Sequence, residues 1–396
     1  MTALLVALVA LPPVLFVYAY FGYPLVLRVL GALQAQRRAV SDLSEDPDAP
    51  GREWPSVSIS LPAYNEEARL KGTLEALLEL DYPRDRLEIV VVSDASSDAT
   101  DAIAGSYADR GVRLLRLPER GGKVAAENFA APQLANEIIV NTDATIRIPP
   151  PALKPLVRAF ADPRVGVASG RDVSVSSVDV EANQAESGYV GYEMSIRALE
   201  TRVGGIVGAS GCFYGIRRQL HEPPFPPHLS RDFASCLIAR EQGFRSVSVD
   251  EAICYVPRTA SLEREYGRKV RTMARGLATL NYKRTLLNPF RYGLFAWMLW
   301  SHKLARWLVP LSVPIAVLGL VGLALAGSRV AGGLLIVTAV GTAAGFAAMR
   351  WAETGNAPGL VSSTGYAFAA NVAGLVAWGR FLSGGSQAVW EPTRRT

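Results

Sequence analysis

The sequence predicts an α/β domain, a parallel sheet with helices on both faces, set between apolar helices long enough to span a membrane. Between residues 57 and 142, apolar β-branched runs alternate with runs of helical period. Three stretches pair such a run with an acid: V-S-I-S-L-P-A-Y-N-E-E (57–67), I-V-V-V-S-D-A-S-S-D (89–98) and I-I-V-N-T-D-A-T (138–145). Toward both ends the chain turns apolar over lengths near or above the roughly 20 residues that cross a bilayer. In a parallel sheet the carboxyl ends of the strands border a ligand crevice. Glu66, Asp94 and Asp143 then converge on one site. Acids gathered there suit a nucleobase, a ribose and a metal-bound diphosphate.

The elements follow in order. Residues 3–29 carry one charge, Arg28. No basic segment precedes them and no clear cleavage site follows, so 1–30 reads as a transmembrane anchor rather than a cleaved signal. Residues 31–54 read as a linker, polar and proline-bearing from 39 onward. Val57, Ile59 and Leu61 alternate as a strand. Leu70, Leu74, Leu77 and Leu78 then repeat at helical spacing, and Tyr82-Pro83 ends that helix. Residues 87–93 form a buried strand, and Ser96 and Ser97 open a helix to Arg110. A third strand over 112–117, a helix over 123–135 and a fourth strand over 137–142 complete the βα pattern. After 165 the pattern loosens, with glycines crowding 204–215 and prolines crowding 223–227.

The domain so defined covers 55–257. Residues 258–306 read as amphipathic helices lying in the membrane interface, with 291–306 mixing aromatics with His302, Lys303 and Arg306. Residues 307–385 hold three apolar stretches, 307–327, 330–349 and 360–382, and 386–396 form a tail.

The net charge is +5. Arg28, Arg37 and Arg38 follow the first span, and eight Lys or Arg lie in 258–284 against Glu263 and Glu265 alone. Positive charge favours the inside. The central domain is therefore expected in the cytoplasm of a multi-pass protein of the bacterial inner (plasma) membrane. One span before the domain and three after it would put the Arg394-Arg395 tail outside, against the same bias. Either a C-terminal stretch is re-entrant, or 291–306 crosses as a hairpin with its neighbour. The basic stretch suits membrane lipids or a phosphate-rich substrate. With no nucleic-acid module in view, nucleic acid is set aside. Cys212, Cys236 and Cys254 lack metal-type spacing and read as free thiols. His221, His228 and His302 do not cluster with them, which argues against zinc. No G-x-G-x-x-G follows a strand, which argues against dinucleotide binding. No Gly-rich phosphate loop follows the first strand, which argues against a nucleotidyltransferase.

The run P-A-Y-N-E-E, S-D-A-S-S-D-A-T, G-G-K-V-A-A-E-N and N-T-D-A-T resembles the membrane-bound family 2 glycosyltransferases, over residues 57–276. Cellulose, chitin and hyaluronan synthases belong to that superfamily. The resemblance implies a GT-A fold, Rossmann-like, flanked by transmembrane helices, with an inverting reaction and Mg²⁺ or Mn²⁺. It puts Pro62, Ala63, Tyr64 and Glu66 around the nucleoside and Asp94 on the base. Ser97 and Asp98 read as helix caps. Lys123 follows two glycines at a helix start, where N–H groups and the dipole favour a diphosphate. The plain alternative is a solvated lysine. Asp143 is the first acid of the family's D-x-D motif, which here reads Asp143-Ala144-Thr145. Metal binding then rests on one carboxylate, the diphosphate and water. The bland alternative for Asp143 is a turn cap.

By the same resemblance Asp232, in S-R-D-F (230–233), is the general base, with Arg231 where relatives have glutamate. A helix cap is the competing role for Asp232. Ser210, Gly211 and Cys212, in G-A-S-G-C-F-Y-G (208–215), and Arg231 are acceptor-side residues. A structural turn is the alternative for that glycine-rich segment. Arg264, Arg268, Arg271 and Arg275 share one helical face, opposite Leu262, Tyr266, Val270, Met273 and Leu277. Arg268 and Arg271 are expected on the diphosphate. Processive relatives carry Q-x-x-R-W, and this chain has Arg268-x-x-Arg271-Thr272. The missing tryptophan argues for transfer of one sugar, or a few. The expected donor is a UDP-sugar, and the expected acceptor is a lipid-linked sugar or a polysaccharide, with polysaccharide-assembly proteins as partners. A processive synthase and a degenerate nucleotide-binding assembly protein remain as alternatives.

Overall fold

The computed structural model describes residues 2–38, 53–175, 181–221, 224–257, 262–354 and 357–385. Most of the predicted linker and the 386–396 tail lie outside these residues. Helices α1 (Thr2–Val17) and α2 (Tyr23–Arg38) run on through a single π-turn. The first helix therefore extends beyond the predicted boundary at 30.

The catalytic half begins with β1 (Val57–Ala63), α3 (Glu67–Leu78), β2 (Leu87–Ser93), α4 (Thr100–Gly105), β3 (Val112–Arg116), α5 (Lys123–Ala130) and β4 (Ile138–Thr142). These are the predicted βα units, with α4 and α5 shorter than expected. Then come α6 (Leu153–Arg158), β5 (Val165–Val175), α7 (Glu181–Val203), β6 (Phe213–Arg217), α8 (Arg218–His221), α9 (Arg231–Glu241) and β7 (Arg245–Pro257). The seven strands form one sheet in the order β3-β2-β1-β4-β6-β5-β7.

The strands of the 57–142 stretch pair in parallel as expected, and β6, beyond it, makes the whole sheet mixed. β6 runs antiparallel to both β4 and β5, while β1, β2, β3 and β4 pair in parallel. Strand period 2 sends alternate residues to opposite faces. Val57, Ile59 and Leu61 join Leu70, Leu74, Leu153 and Leu156 on one side. Val90 and Val92 join Ala126, Ala130 and Ala239 on the other.

The last part is helical: α10 (Leu262–Tyr282), α11 (Pro289–Leu299), α12 (Arg306–Leu325), α13 (Arg329–Glu353) and α14 (Gly359–Leu382). A π-turn over 300–305 joins α11 to α12, giving one apolar helix from Pro289 to Leu325. The chain kinks at Gly293, whose φ of 50° and ψ of −124° are not helical. Phe295, Met298 and Leu299 pack on Val203, Val207 and Phe233 of the α/β part and on Leu280 of α10, and Tyr23 and Leu27 join the same cluster. Among the described residues, four helices are long and apolar enough to cross a membrane.

Candidate active site

The β1 and β2 ends are stitched together by polar side chains. Asn65 has a left-handed φ of 53°, a conformation asparagine tolerates better than most residues. Its Oδ1 accepts from Ser97 N–H at 2.8 Å. Asp98 accepts from Glu67 N–H at 3.1 Å and from Thr100 N–H at 3.0 Å. Burial pushes the Asp98 carboxyl up, but hydrogen bonds from Thr100 and Glu67 outweigh it and hold the pKa below the usual value. Asp98 therefore caps both helix starts. Ser97 pairs with Asn65 instead.

Asp94 is buried, and its two oxygens accept from Gly121 N–H at 2.7 Å and Gly122 N–H at 2.8 Å. Gly122 has φ 85° and ψ 170°, a region open essentially to glycine alone. The β2 acid thus fixes the loop that starts α5, and Lys123 follows at its first turn. Carboxylate oxygens have lone pairs to spare, so this geometry leaves Asp94 able to accept from a base as well. Pro62, Ala63, Tyr64, Glu66, Asp94, Lys123 and Asp143 border one narrow niche, together with Ala144 and Thr145. Arg120, which sequence reasoning passed over, lies 3.9 Å from the Tyr64 ring centroid and so forms a cation–π contact at that niche.

A cleft of about 290 Å³ adjoins the niche and shares Lys123, Asp143 and Thr145 with it. It is also bordered by Ser210, Gly211, Cys212, Arg231, Asp232, Arg268 and Arg271. Every site residue expected from the sequence therefore lines one of two contiguous spaces. Lys123 Nζ donates to Asp143 Oδ1 at 2.5 Å and to the Gly211 carbonyl at 3.0 Å. Burial opposes the lysine charge, but Asp143 and Glu127 outweigh it and raise its pKa. Across the cleft, Asp232 stands in the first turn of α9, and its Oδ1 accepts from the Ser230 hydroxyl at 2.7 Å. A Cβ on Gly211 would lie 3.1 Å from Asp232 Oδ2. Glycine there lets the 208–215 loop pass close to that carboxylate.

Arg231 is buried, and its guanidinium donates to Asn128 Oδ1 and the His221 carbonyl. It braces α9 against α5. Arg268 is held bidentate by Glu265 at 2.7 Å. Arg275 donates to the Pro227 and Leu229 carbonyls, which latches α10 to the segment before α9.

Sequence reasoning did not single out Glu127, Asp172, Arg197 or Tyr214, which also line the cleft. Asp172 accepts from the Ser210 hydroxyl at 2.6 Å and fixes the acceptor-side loop. Arg197 donates to the Ala209 carbonyl at 3.4 Å. Glu127 is buried with no hydrogen-bond partner on either oxygen. Burial raises its pKa, against the pull of Lys123 and Arg231. The i, i+4 spacing of Lys123 and Glu127 was the available signal, since it puts both on one helix face.

The residues fit a divalent metal only in part. Among the described residues no group of three or more His, Cys, Asp or Glu is placed to hold one. Asp143 is the carboxylate at the motif, and Lys123 occupies its Oδ1. The protein alone does not build a closed metal site. Phosphate oxygens and water would have to complete it.

A mixed sheet of this order, with its cleft at the carboxyl ends of β1, β2 and β4, has the GT-A fold. Residues 58–223 match the family Glycosyl transferase family 2. The mannosyltransferase PcManGT from Pyrobaculum calidifontis, solved in complex with GDP-Man and Mn²⁺, superimposes with TM-score 0.63 at 25% identity, covering 95% of this chain and 99% of that one. The beta-monoglucosyldiacylglycerol synthase of Synechocystis sp. is 34% identical over 161 residues, 38% of this chain and 33% of that protein. The probable glycosyltransferase YdaM of Bacillus subtilis is 38% identical over 98 residues, 24% of this chain and 23% of that protein. The chain thus spans about a quarter to a third of the length of these two curated relatives.

Proposed function

We propose that this glycosyltransferase moves one sugar, or a few, from a nucleoside-diphosphate sugar to a lipid-linked or polysaccharide acceptor, with inversion at the anomeric carbon. The observation that carries this is the single cleft shared by the Lys123–Asp143 pair and the Asp232 carboxylate. Asp232 takes the acceptor hydroxyl proton as that oxygen bonds the anomeric carbon and the bond to the diphosphate breaks. Such base assistance typically contributes about 10²–10⁴-fold. Lys123, Arg268 and Arg271 offset the charge that develops on the leaving diphosphate, a task suited to guanidinium groups. A divalent cation held at Asp143, Mg²⁺ or Mn²⁺, supplies further neutralisation of that diphosphate. With one displacement and no protein nucleophile, the anomeric centre inverts.

Acceptor access is supported by a second cavity of about 630 Å³, which shares Arg271 and Arg275 with the cleft. Leu229, Ala274, Ala278 and Phe381 give it apolar walls, and Arg380 stands at its far side. Apolar walls beside arginines suit a lipid with an anionic head. The reaction then runs at the cytoplasmic face of a bacterial inner membrane, for envelope or exopolysaccharide synthesis, alongside assembly proteins. Threonine at 272 favours short products over processive synthesis. A UDP-sugar is the proposed donor. GDP-mannose is the second arm of the test, because PcManGT holds it.

The test uses purified protein in lipid nanodiscs with Mn²⁺, a panel of UDP-, GDP- and dTDP-sugars, and a crude lipid extract. Consumption of one donor, with an inverted anomer in the product, is expected. A retained anomer overturns the single displacement. No consumption of any donor, with UDP still bound, favours a nucleotide-binding assembly role.

A further inference from the structure

Glu127 is the one carboxylate lining the cleft whose two oxygens are both buried and without hydrogen-bond partners among the described residues. It is 1% exposed. Buried polar atoms are normally paired, and an orphaned buried acid calls for an occasional partner. One sits on the same helix. Lys123 and Glu127 are four residues apart on α5, so their side chains rise from neighbouring positions on one face. In the structure the lysine's hydrogen bonds go to Asp143 Oδ1 at 2.5 Å and the Gly211 carbonyl at 3.0 Å, and Glu127 lies near enough to favour its charge.

That contact conflicts with the proposed donor chemistry. A divalent cation at Asp143 would have to share that carboxylate with the ammonium on its Oδ1, and two cations beside one another repel. The motif offers no second acid, because position 145 is threonine. Lysine must therefore leave for the metal to enter, and it needs a destination that still favours its charge.

We propose that Glu127 is that destination: Lys123 exchanges Asp143 for Glu127 when a divalent cation arrives with the diphosphate and claims Asp143, and its charge stays in the cleft beside that diphosphate, since Glu127 lines the same cleft. The step is a side-chain rotation that moves no proton and breaks no covalent bond. Glu127 acts through Lys123 and is a positioning residue. This inference rests on the metal-dependent reading above. It makes the orphaned carboxylate a functional part of the donor site. It also makes metal affinity depend on a residue that need not touch the metal.

The test reads Mn²⁺ binding without turnover, by electron paramagnetic resonance and calorimetry, on the full chain in nanodiscs, with and without UDP. Glu127→Gln keeps the shape and removes the ammonium's alternative partner, and should weaken Mn²⁺ binding by about tenfold, within the usual range for directly coupled sites. Lys123→Met should tighten Mn²⁺ binding, a sign that misfolding does not produce. In the Lys123→Met background, Glu127→Gln should have no further effect. Equal Mn²⁺ affinity for wild type and Glu127→Gln overturns the exchange and leaves the metal-dependent reading standing. So does an equal loss in both backgrounds. If neither wild type nor Lys123→Met binds Mn²⁺ with UDP present, the metal-dependent reading falls and takes the exchange with it.

Discussion

Asp232 and Gly211 show how much a single carbon weighs at this site. The carboxylate is held on one side by the Ser230 hydroxyl at 2.7 Å, and on the other faces Gly211, where a Cβ would approach to 3.1 Å. Gly211→Ala should displace the carboxylate by a few tenths of an ångström. We expect kcat to fall by about 10-fold, since misplacement of a reacting group by about 1 Å can cost 10²-fold. UDP affinity and thermal stability should change little. A steady-state assay with a melting curve checks this, and unchanged kcat would remove Asp232 from the proton transfer. The acids at the strand ends were readable because each closes a β-branched run. Glu127 and Asp172 were not. A polar residue within a helix or strand looks solvent-facing until its packing partner is known.

Helix α7 carries the next lesson. Glu193, Arg197 and Glu200 sit at spacings of four and three, which in sequence resembles a solvated face. In the fold they are buried. Glu193 accepts from Arg306 at 2.8 Å and lies 2.8 Å from His302 Nε2, while His302 Nδ1 lies 2.6 Å from Glu200. Tyr23 donates to Glu200 at 2.5 Å. The π-turn over 300–305 carries His302 and Lys303 between α11 and α12, and such turns often mark functional positions. This clamp ties the first and second apolar helices to α7, and through Arg197 and the Ala209 carbonyl to the acceptor-side loop.

Burial raises the Glu193 pKa, but His302, Lys303 and Arg306 outweigh it and bring it well below the ordinary value. A depressed folded pKa contributes stability above the unfolded value of about 4.3, and that contribution is lost as pH falls through the folded value. Glu193→Leu should destabilise by about 3–5 kcal/mol, the range for breaking a buried charge pair. It should also flatten the acid limb of stability, measured by denaturant unfolding across pH. A loss below 1 kcal/mol would contradict the clamp. β1 to β4 were predictable because each carries apolar residues, alternating in β1 and contiguous in β2 and β4, between turn residues. β5 and β6 were not, because their glycines read as loop, and β7 was not, because Ser246, Ser248, Asp250 and Glu251 interrupt its apolar residues. Gly170 is in fact a close-packed strand position, where a Cβ would lie 2.5 Å from Phe213.

At the scale of the molecule, α14, which packs on both α13 and α10, bears on the parity question. It is long enough to cross a membrane, yet it lies along α10. Lys269 Nζ is 5.1 Å from the Tyr366 ring, and Met273 Sδ would be 3.6 Å from a Cβ on Gly374. Arg380 and Phe381 share a cavity with Arg271 and Arg275. Trp378 donates to the Trp307 carbonyl at 2.7 Å, near the start of α12. Both halves of α14 therefore sit against a helix latched to the catalytic domain. We expect the tail on the domain's side, as the Arg394-Arg395 charge prefers, and the 326–328 turn on the other. Added cysteines at Ala326 and Ser383 should label from opposite faces of sealed vesicles. Labelling of both from one face would restore a fourth crossing.

The most direct measurement is single-turnover transfer by wild type and Asp232→Asn in nanodiscs, with UDP binding followed in the same preparations. Loss of at least about 10²-fold in transfer, with UDP affinity unchanged, is the predicted result. Equal transfer by the two proteins would contradict it and move the base elsewhere in the cleft.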